Sequence, residues 1–184
     1  MAMEDMPRKP RQEVHDGIHH VYARGNDRQL LYWDDDDHVR YLELLCHVVH
    51  RKRWRCLAYC LMSNHVHLLV QTPDANLGDG MQVLHSAYAQ LFNRRHGKVG
   101  HVFQGRYGAK LMLHDEQLWT VVRYVHRNPV EAGLCRRAAE WRWSSHSGVL
   151  NGTAPAWLDR TRLLSFFGAM GGEPDLVYSD LIDG

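Results

Sequence analysis

Two histidines stand one residue apart in the apolar run LMSNHVHLLV, at positions 65 and 67. A buried imidazole needs a hydrogen-bond partner or a ligand. Side chains alternate across a strand, so His65 and His67 face the same way, with Cβ atoms ~7 Å apart, twice the strand rise. Rings at that spacing can converge on one metal ion. An isolated His-x-His is more often a surface strand that happens to carry two histidines, so a further signal is needed.

The stretch DEQLWTVVRYVHRN, residues 115–128, supplies it. Leu118, Val121, Val122 and Val125 recur at helical spacing and predict the core face of a helix. The opposite stripe is Gln117, Thr120, Tyr124, Arg127 and Asn128. Tyr124 and Asn128 are four residues apart, hence stacked on one side. An amphipathic tyrosine on a half-buried helix is common without any function. If this helix crosses the open face of the sheet, however, a phenol, an amide and two imidazoles meet. Two histidines and an amide oxygen leave positions on a divalent ion for a substrate oxygen, and the tyrosine can attack that substrate.

The elements that must position these groups are legible from periodicity. GIHHVYARGNDRQ alternates and then turns at Gly25-Asn26-Asp27, predicting a strand over 18–24. DDDDHVRYLELLCHVVHRK predicts a helix, its aspartates capping the N-terminus and Val39, Leu42, Leu45, Cys46 and Val49 forming the buried stripe. RWRCLAYCLM and HVHLLV predict two strands joined as a hairpin at Ser63-Asn64. Residues 77–96 predict a long helix with Leu77, Met81, Leu84, Tyr88 and Leu91 on one face and Gly97 at its end. VFQGRYGAKLMLH predicts a fourth strand region with a glycine-rich turn. Pro129 ends or kinks the helix at 115–128, and residues 130–139 are expected to be short and helical. The order is that of an α+β, ferredoxin-like (RRM-like) split β-α-β fold. It has an antiparallel sheet with helices on one face and the Tyr124 helix near the open one.

In these residues the chain resembles the HUH single-strand DNA transposases with one catalytic tyrosine. MSNHVHLLV, then RYVHRNPVEAGL, then WRWSSHSG occur in the family's order, and HHVYARGNDRQLLYWDDDD is similar to its first strand and turn. Within the family the likeness is to the REP-associated tyrosine transposases, over residues 17 to 148. The resemblance implies that His65 and His67 are metal ligands, that Asn128 is the third, and that Tyr124 is the nucleophile. Insertion-sequence members usually carry glutamine at the third position, so the asparagine fits the REP-associated branch better and reaches less far. It implies Mg²⁺ or Mn²⁺ as cofactor, single-stranded hairpin DNA as partner, and a 5′-phosphotyrosine intermediate. The REP-associated branch tends to be monomeric, so a monomer is expected, with a homodimer as the alternative.

Contacts to DNA need cations and exposed aromatics. Arg24, Asn26 and Arg28 at the first turn, Arg106 and Lys110 near the fourth strand, and Arg123 and Arg127 on the tyrosine helix are the candidates. The basic runs RKRWR and NRRHGK read more simply as solvated helix ends. His19, His20, His101 and His114 are given no catalytic role.

Composition sets bounds. The 184 residues, 45% hydrophobic, fit one domain with an appended tail. The boundaries expected are a flexible segment over 1–14, the catalytic domain over 15–148 and a tail over 149–184. A formal net charge of +1 means that any phosphate contact comes from local patches. The four cysteines lack metal spacing and read as reduced, small hydrophobes of a cytoplasmic protein. No signal peptide and no membrane span are expected. Two other functions stay open: a catalytically silent single-stranded nucleic-acid-binding module, and a metallohydrolase that leaves Tyr124 idle.

Overall fold

The structure, a computed structural model, describes residues 14–184. The segment expected to be flexible, 1–14, lies outside the described residues apart from Val14. The elements follow the chain as β1 (Gly17–Arg24), α1 (Asp35–Lys52), β2 (Arg55–Met62), β3 (His65–Thr72), α2 (Leu77–His96), β4 (Gly108–Met112) and α3 (Asp115–Glu131). The strands pair antiparallel in the order β2-β3-β1-β4. A split β-α-β unit gives this order, because each helical crossover carries the chain past a neighbouring strand.

Local chemistry sets the element ends. Asp34 caps α1 by accepting the Asp37 amide, and Gly97 ends α2 in the left-handed conformation with φ 61°. Pro129 sits inside α3, which runs on to Glu131 before the chain turns. At the end of β1, a Cβ on Gly25 would lie 2.1 Å from the Gln29 carbonyl oxygen, so only glycine fits this turn.

The buried stripe of α1 differs from the predicted one. Val39 is exposed and Cys46 only half-buried, while Asp37, His38, Tyr41, Leu45, Val48 and Val49 are buried. The stripe rotates because Asp37 is paired: it accepts from Trp33 N, Arg95 and His96. A buried carboxylate with three donors is satisfied, which a hydrophobic pattern cannot reveal. On α2, Phe92 rather than Leu91 is the buried residue of the last turn.

The sheet has two different faces. Val21, Ala23, Val66, Leu68 and Val70 join the main core with Tyr41, Leu45, Leu84 and Tyr88 from α1 and α2. On the other face Cys60 lies opposite His67 and Met62 opposite His65. Cys60 and Met62 pack with Val125 of α3, and Val121 and Trp141 close over them. Burying a side chain such as Val125 is worth about 1.5–3 kcal/mol, so this cluster fixes α3 on this face beside the histidines.

The chain beyond α3 forms α4 (His146–Asn151), α5 (Arg160–Gly168) and α6 (Pro174–Asp183). It covers the outer edge of β2: Leu61 N donates to Trp143 O, Tyr59 N to Ser145 Oγ, and Asp159 N to Cys56 O. An edge strand left bare would invite pairing with another chain. The same tail holds α3 from its far side, through Trp119 Nε1 to Phe166 O at 3.0 Å. All four cysteines are free. Among the described residues, no helix is long and apolar enough to cross a membrane.

Candidate active site

Strand alternation and antiparallel register build the site. Tyr22 lies opposite His67 and Arg24 opposite His65, so β1 and β3 present these four side chains on one face, joined by His20. With α3 held at the edge of that face, Tyr124 faces the imidazoles. Its ring centroid is 5.2 Å from that of His67 and 6.0 Å from that of His20. The rings of His65 and His67 are 5.1 Å apart and nearly perpendicular. A cavity of about 670 Å³ lies among His20, His65, His67, Arg24, Lys110 and Tyr124. Tyr22 and Gln104 also line it. Tyr124 is 42% exposed, so its phenol is accessible to a substrate in the cavity.

All three imidazoles are neutral near pH 7. Burial, helped by the charge of Lys110, pulls His20 down to about 4. Burial, with smaller effects from His20, His65 and Arg24, pulls His67 down to about 3. His65 is lowered by burial, opposed by its contact with the Asn128 amide and reinforced by Arg24. Neutral imidazoles keep a lone pair, which is the form that binds a metal.

The hydrogen bonds around His65 test whether a metal ion fits. Asn64 Nδ2 donates to Arg28 O at 3.3 Å, which turns its Oδ1 toward His65 Nδ1 at 2.8 Å. His65 Nδ1 therefore carries the proton, and Nε2 keeps its lone pair. That lone pair faces Asn128 Oδ1 at 3.1 Å. Two acceptors turned toward each other are relieved by a cation beside them. His67 Nε2 is buried with no hydrogen-bond partner. Two imidazole lone pairs and an amide oxygen therefore fit a divalent ion. Among the described residues no group of three or more His, Cys, Asp or Glu is arranged to hold a metal. The fit thus depends on the amide as third donor.

The structure brings together Tyr124, His65, His67 and Asn128, with Arg24 and Lys110 in the cavity wall. It does not bring the other predicted DNA contacts there. Asn26 and Arg28 flank the β2–β3 turn, where Gly25 N donates to Asn64 O. Arg106 lines a separate cavity of about 700 Å³ with Met81, His85 and Phe103. Arg127 points away: its Nη1 donates to Ile182 O at 2.9 Å, and Arg123 Nε donates to Leu181 O. Both arginines serve the C-terminal carbonyls of α6, where a cation offsets the helix dipole. The basic runs are likewise engaged: Arg53 with Asp74, Lys52 with Asp79, and Arg95 with Asp34 and Asp37. His20, given no role from the sequence, is inside the site. The doublet His19-His20 carried a usable signal, since only one of two adjacent strand residues can face the histidine pair.

The fold and site define a class: an α+β domain of ferredoxin-like topology that carries a His-x-His pair, an amide and a tyrosine on one sheet face. The profile of the IS200-like transposase family matches residues 13–128, and the chain belongs to that family. A Haemophilus influenzae protein named as a REP-associated tyrosine transposase is 26% identical over 100 residues, which are 48% of this chain and 57% of that protein. The chain thus matches little more than half the length of this relative. The fold is shared with a solved REP-associated tyrosine transposase bound to a REP hairpin. The TM-score is 0.68 at 18% identity, covering 82% of this chain and 89% of that one.

Proposed function

We propose that this protein is a metal-dependent single-stranded DNA endonuclease and strand transferase that acts on hairpin DNA through a 5′-phosphotyrosine intermediate. One observation carries the reading. The Tyr124 ring stands edge-on to that of His67, whose Nε2 is buried without a hydrogen-bond partner, while His65 Nε2 lies 3.1 Å from the Asn128 oxygen. His65, His67 and Asn128 would hold Mg²⁺ or Mn²⁺, whose charge offsets the negative oxygens that otherwise repel a nucleophile from a phosphodiester. Imidazole donors favour Mn²⁺ of the two, being softer than oxygen donors.

The Tyr124 hydroxyl attacks phosphorus, gives up its proton, and forms the Tyr–O–P bond. The bond from phosphorus to the 3′ oxygen breaks, and that oxygen leaves as a free 3′-hydroxyl after taking a proton. A second 3′-hydroxyl reverses the step on the same or another strand, and the bond energy is kept in the phosphotyrosine. Arg24 and Lys110 supply cations for the phosphates, and the exposed ring of Tyr22 offers a face on which a base can stack. The hairpin as partner is supported by the bound hairpin of the structure that shares this fold.

The test is to incubate a labelled single-stranded hairpin oligonucleotide with the protein and Mn²⁺. Cleavage with a denaturation-resistant protein–DNA adduct, lost in Tyr124→Phe and with a chelator, is the expected result. Binding without any cleavage supports a silent binding module instead. Cleavage undiminished in Tyr124→Phe supports a hydrolase that does not use the phenol.

A further inference from the structure

We propose that His20 is a positioning residue for His67: it accepts the Nδ1 proton of His67 and so keeps the Nε2 lone pair free. The inference rests on the reading of His65, His67 and Asn128 as metal donors.

His20 Nε2 lies 3.0 Å from His67 Nδ1, in a contact that is buried. The ring centroids are 5.2 Å apart and the planes inclined by 29°. With nitrogens 3.0 Å apart, that centroid spacing sets the rings edge to edge rather than face to face, so the N–H of one lies near the plane of the other's lone pair. Two neutral imidazoles share a single proton across this contact. If His20 held it, His67 would carry its own proton on Nε2, which is buried and has no acceptor. A buried N–H without a partner is penalised, and an Nε2 that carries a proton cannot bind a metal. If His67 holds it on Nδ1, the Nε2 lone pair is free and a cation satisfies it. Ligating histidines ordinarily give their second N–H to a carboxylate, a carbonyl or water, and that partner fixes ring and tautomer. Here an imidazole from the neighbouring strand takes that place. His20 cannot itself be a ligand through Nε2, because that nitrogen is turned to His67.

The role extends to the phenol. The His20 ring lies edge-on to Tyr124, with centroids 6.0 Å apart. One side chain therefore contacts both the ligand and the proposed nucleophile, and β1 couples their positions.

Nitrogen NMR of the histidine rings in the metal-free protein, together with Mn²⁺ titration of the same samples, tests this. Wild type should show His67 with its proton on Nδ1. His20→Leu removes the acceptor, so the proton should redistribute toward Nε2 and Mn²⁺ affinity should fall about 10–100-fold, the range for partners of ligating histidines. His20→Gln offers an amide oxygen near the place of Nε2 and should restore both readouts. A His67 proton on Nε2 in wild type overturns the proposal, as does undiminished Mn²⁺ affinity in His20→Leu. Retained affinity in that variant leaves the metal reading standing, whereas absence of Mn²⁺ binding in wild type removes that reading and the proposal with it.

Discussion

His65 Nε2 lies 3.1 Å from Asn128 Oδ1, a contact that ties β3 to the tyrosine helix across 63 residues of sequence. Asn128 stands one helical turn beyond Tyr124 on α3, so the residue proposed to complete the donor set also fixes how the phenol approaches it.

Replacing Asn128 should therefore disturb two things at once. Asn128→Ala removes the amide oxygen and should weaken Mn²⁺ binding by at least about tenfold, the scale that even an outer partner of a ligand carries. It should also reduce adduct formation on the hairpin. Isothermal titration with Mn²⁺ checks the first effect, and a denaturing gel the second. Unchanged metal affinity would remove Asn128 from the donor set.

Arg24 and Arg127 should separate cleanly. Arg24 lines the cavity, whereas Arg127 is committed to Ile182 O. Arg24→Gln should lower the slope of log affinity against log salt for single-stranded DNA by about 0.7, the value for one phosphate contact. Arg127→Gln should leave that slope alone and lower unfolding stability by about 1 kcal/mol or more, the worth of a hydrogen bond from a charged donor. A changed salt slope in Arg127→Gln would return it to the DNA interface.

Stability should fall with acid, and His85 should contribute. It stacks on Phe103 at 4.0 Å, and burial pulls its titration down to about 3. The unfolded chain titrates near ~6.5 and so binds the extra proton first as pH drops. The contribution is complete above that value and is lost as pH falls toward 3, at no more than about 1.4 kcal/mol per pH unit. His20 and His67 act in the same direction. Urea midpoints at pH 7 and 4.5 should converge in His85→Phe relative to wild type. An equally steep acid limb would show that His85 does not titrate in this way.

Gly25→Ala should be costly, since Gly25 is buried in the turn that follows β1. The added Cβ meets backbone, the Gln29 carbonyl, rather than a side chain that can move aside. A loss of about 1–3 kcal/mol is expected from such overpacking, read as a lower thermal midpoint. A neutral effect would mean that the turn relaxes freely.

Much of this was legible before any coordinates. The two-residue period puts His65 and His67 on one face, and the four-residue spacing stacks Tyr124 with Asn128; both follow from local geometry. The split β-α-β order follows from the alternation of periods along the chain. What was hidden is nonlocal. His20 joins the site only through the register of β1 on β3, 47 residues away, which no spacing encodes. Arg127 reads as a DNA contact, and its hydrogen bond to α6 is not visible in the sequence. The α1 stripe shifts because Asp37 is buried against Arg95 and His96, a pairing that hydrophobic patterning counts as a solvent face.

Two phenols line the cavity, Tyr124 at 42% exposure and Tyr22 at 40%, and only one of them can be the nucleophile. Proteolysis of the protein–DNA adduct, followed by mass spectrometry of the nucleotide-bearing peptide, decides between them. A 5′-phosphate ester on Tyr124 is the predicted result. An ester on Tyr22, or cleaved DNA with no ester on any tyrosine, would contradict it.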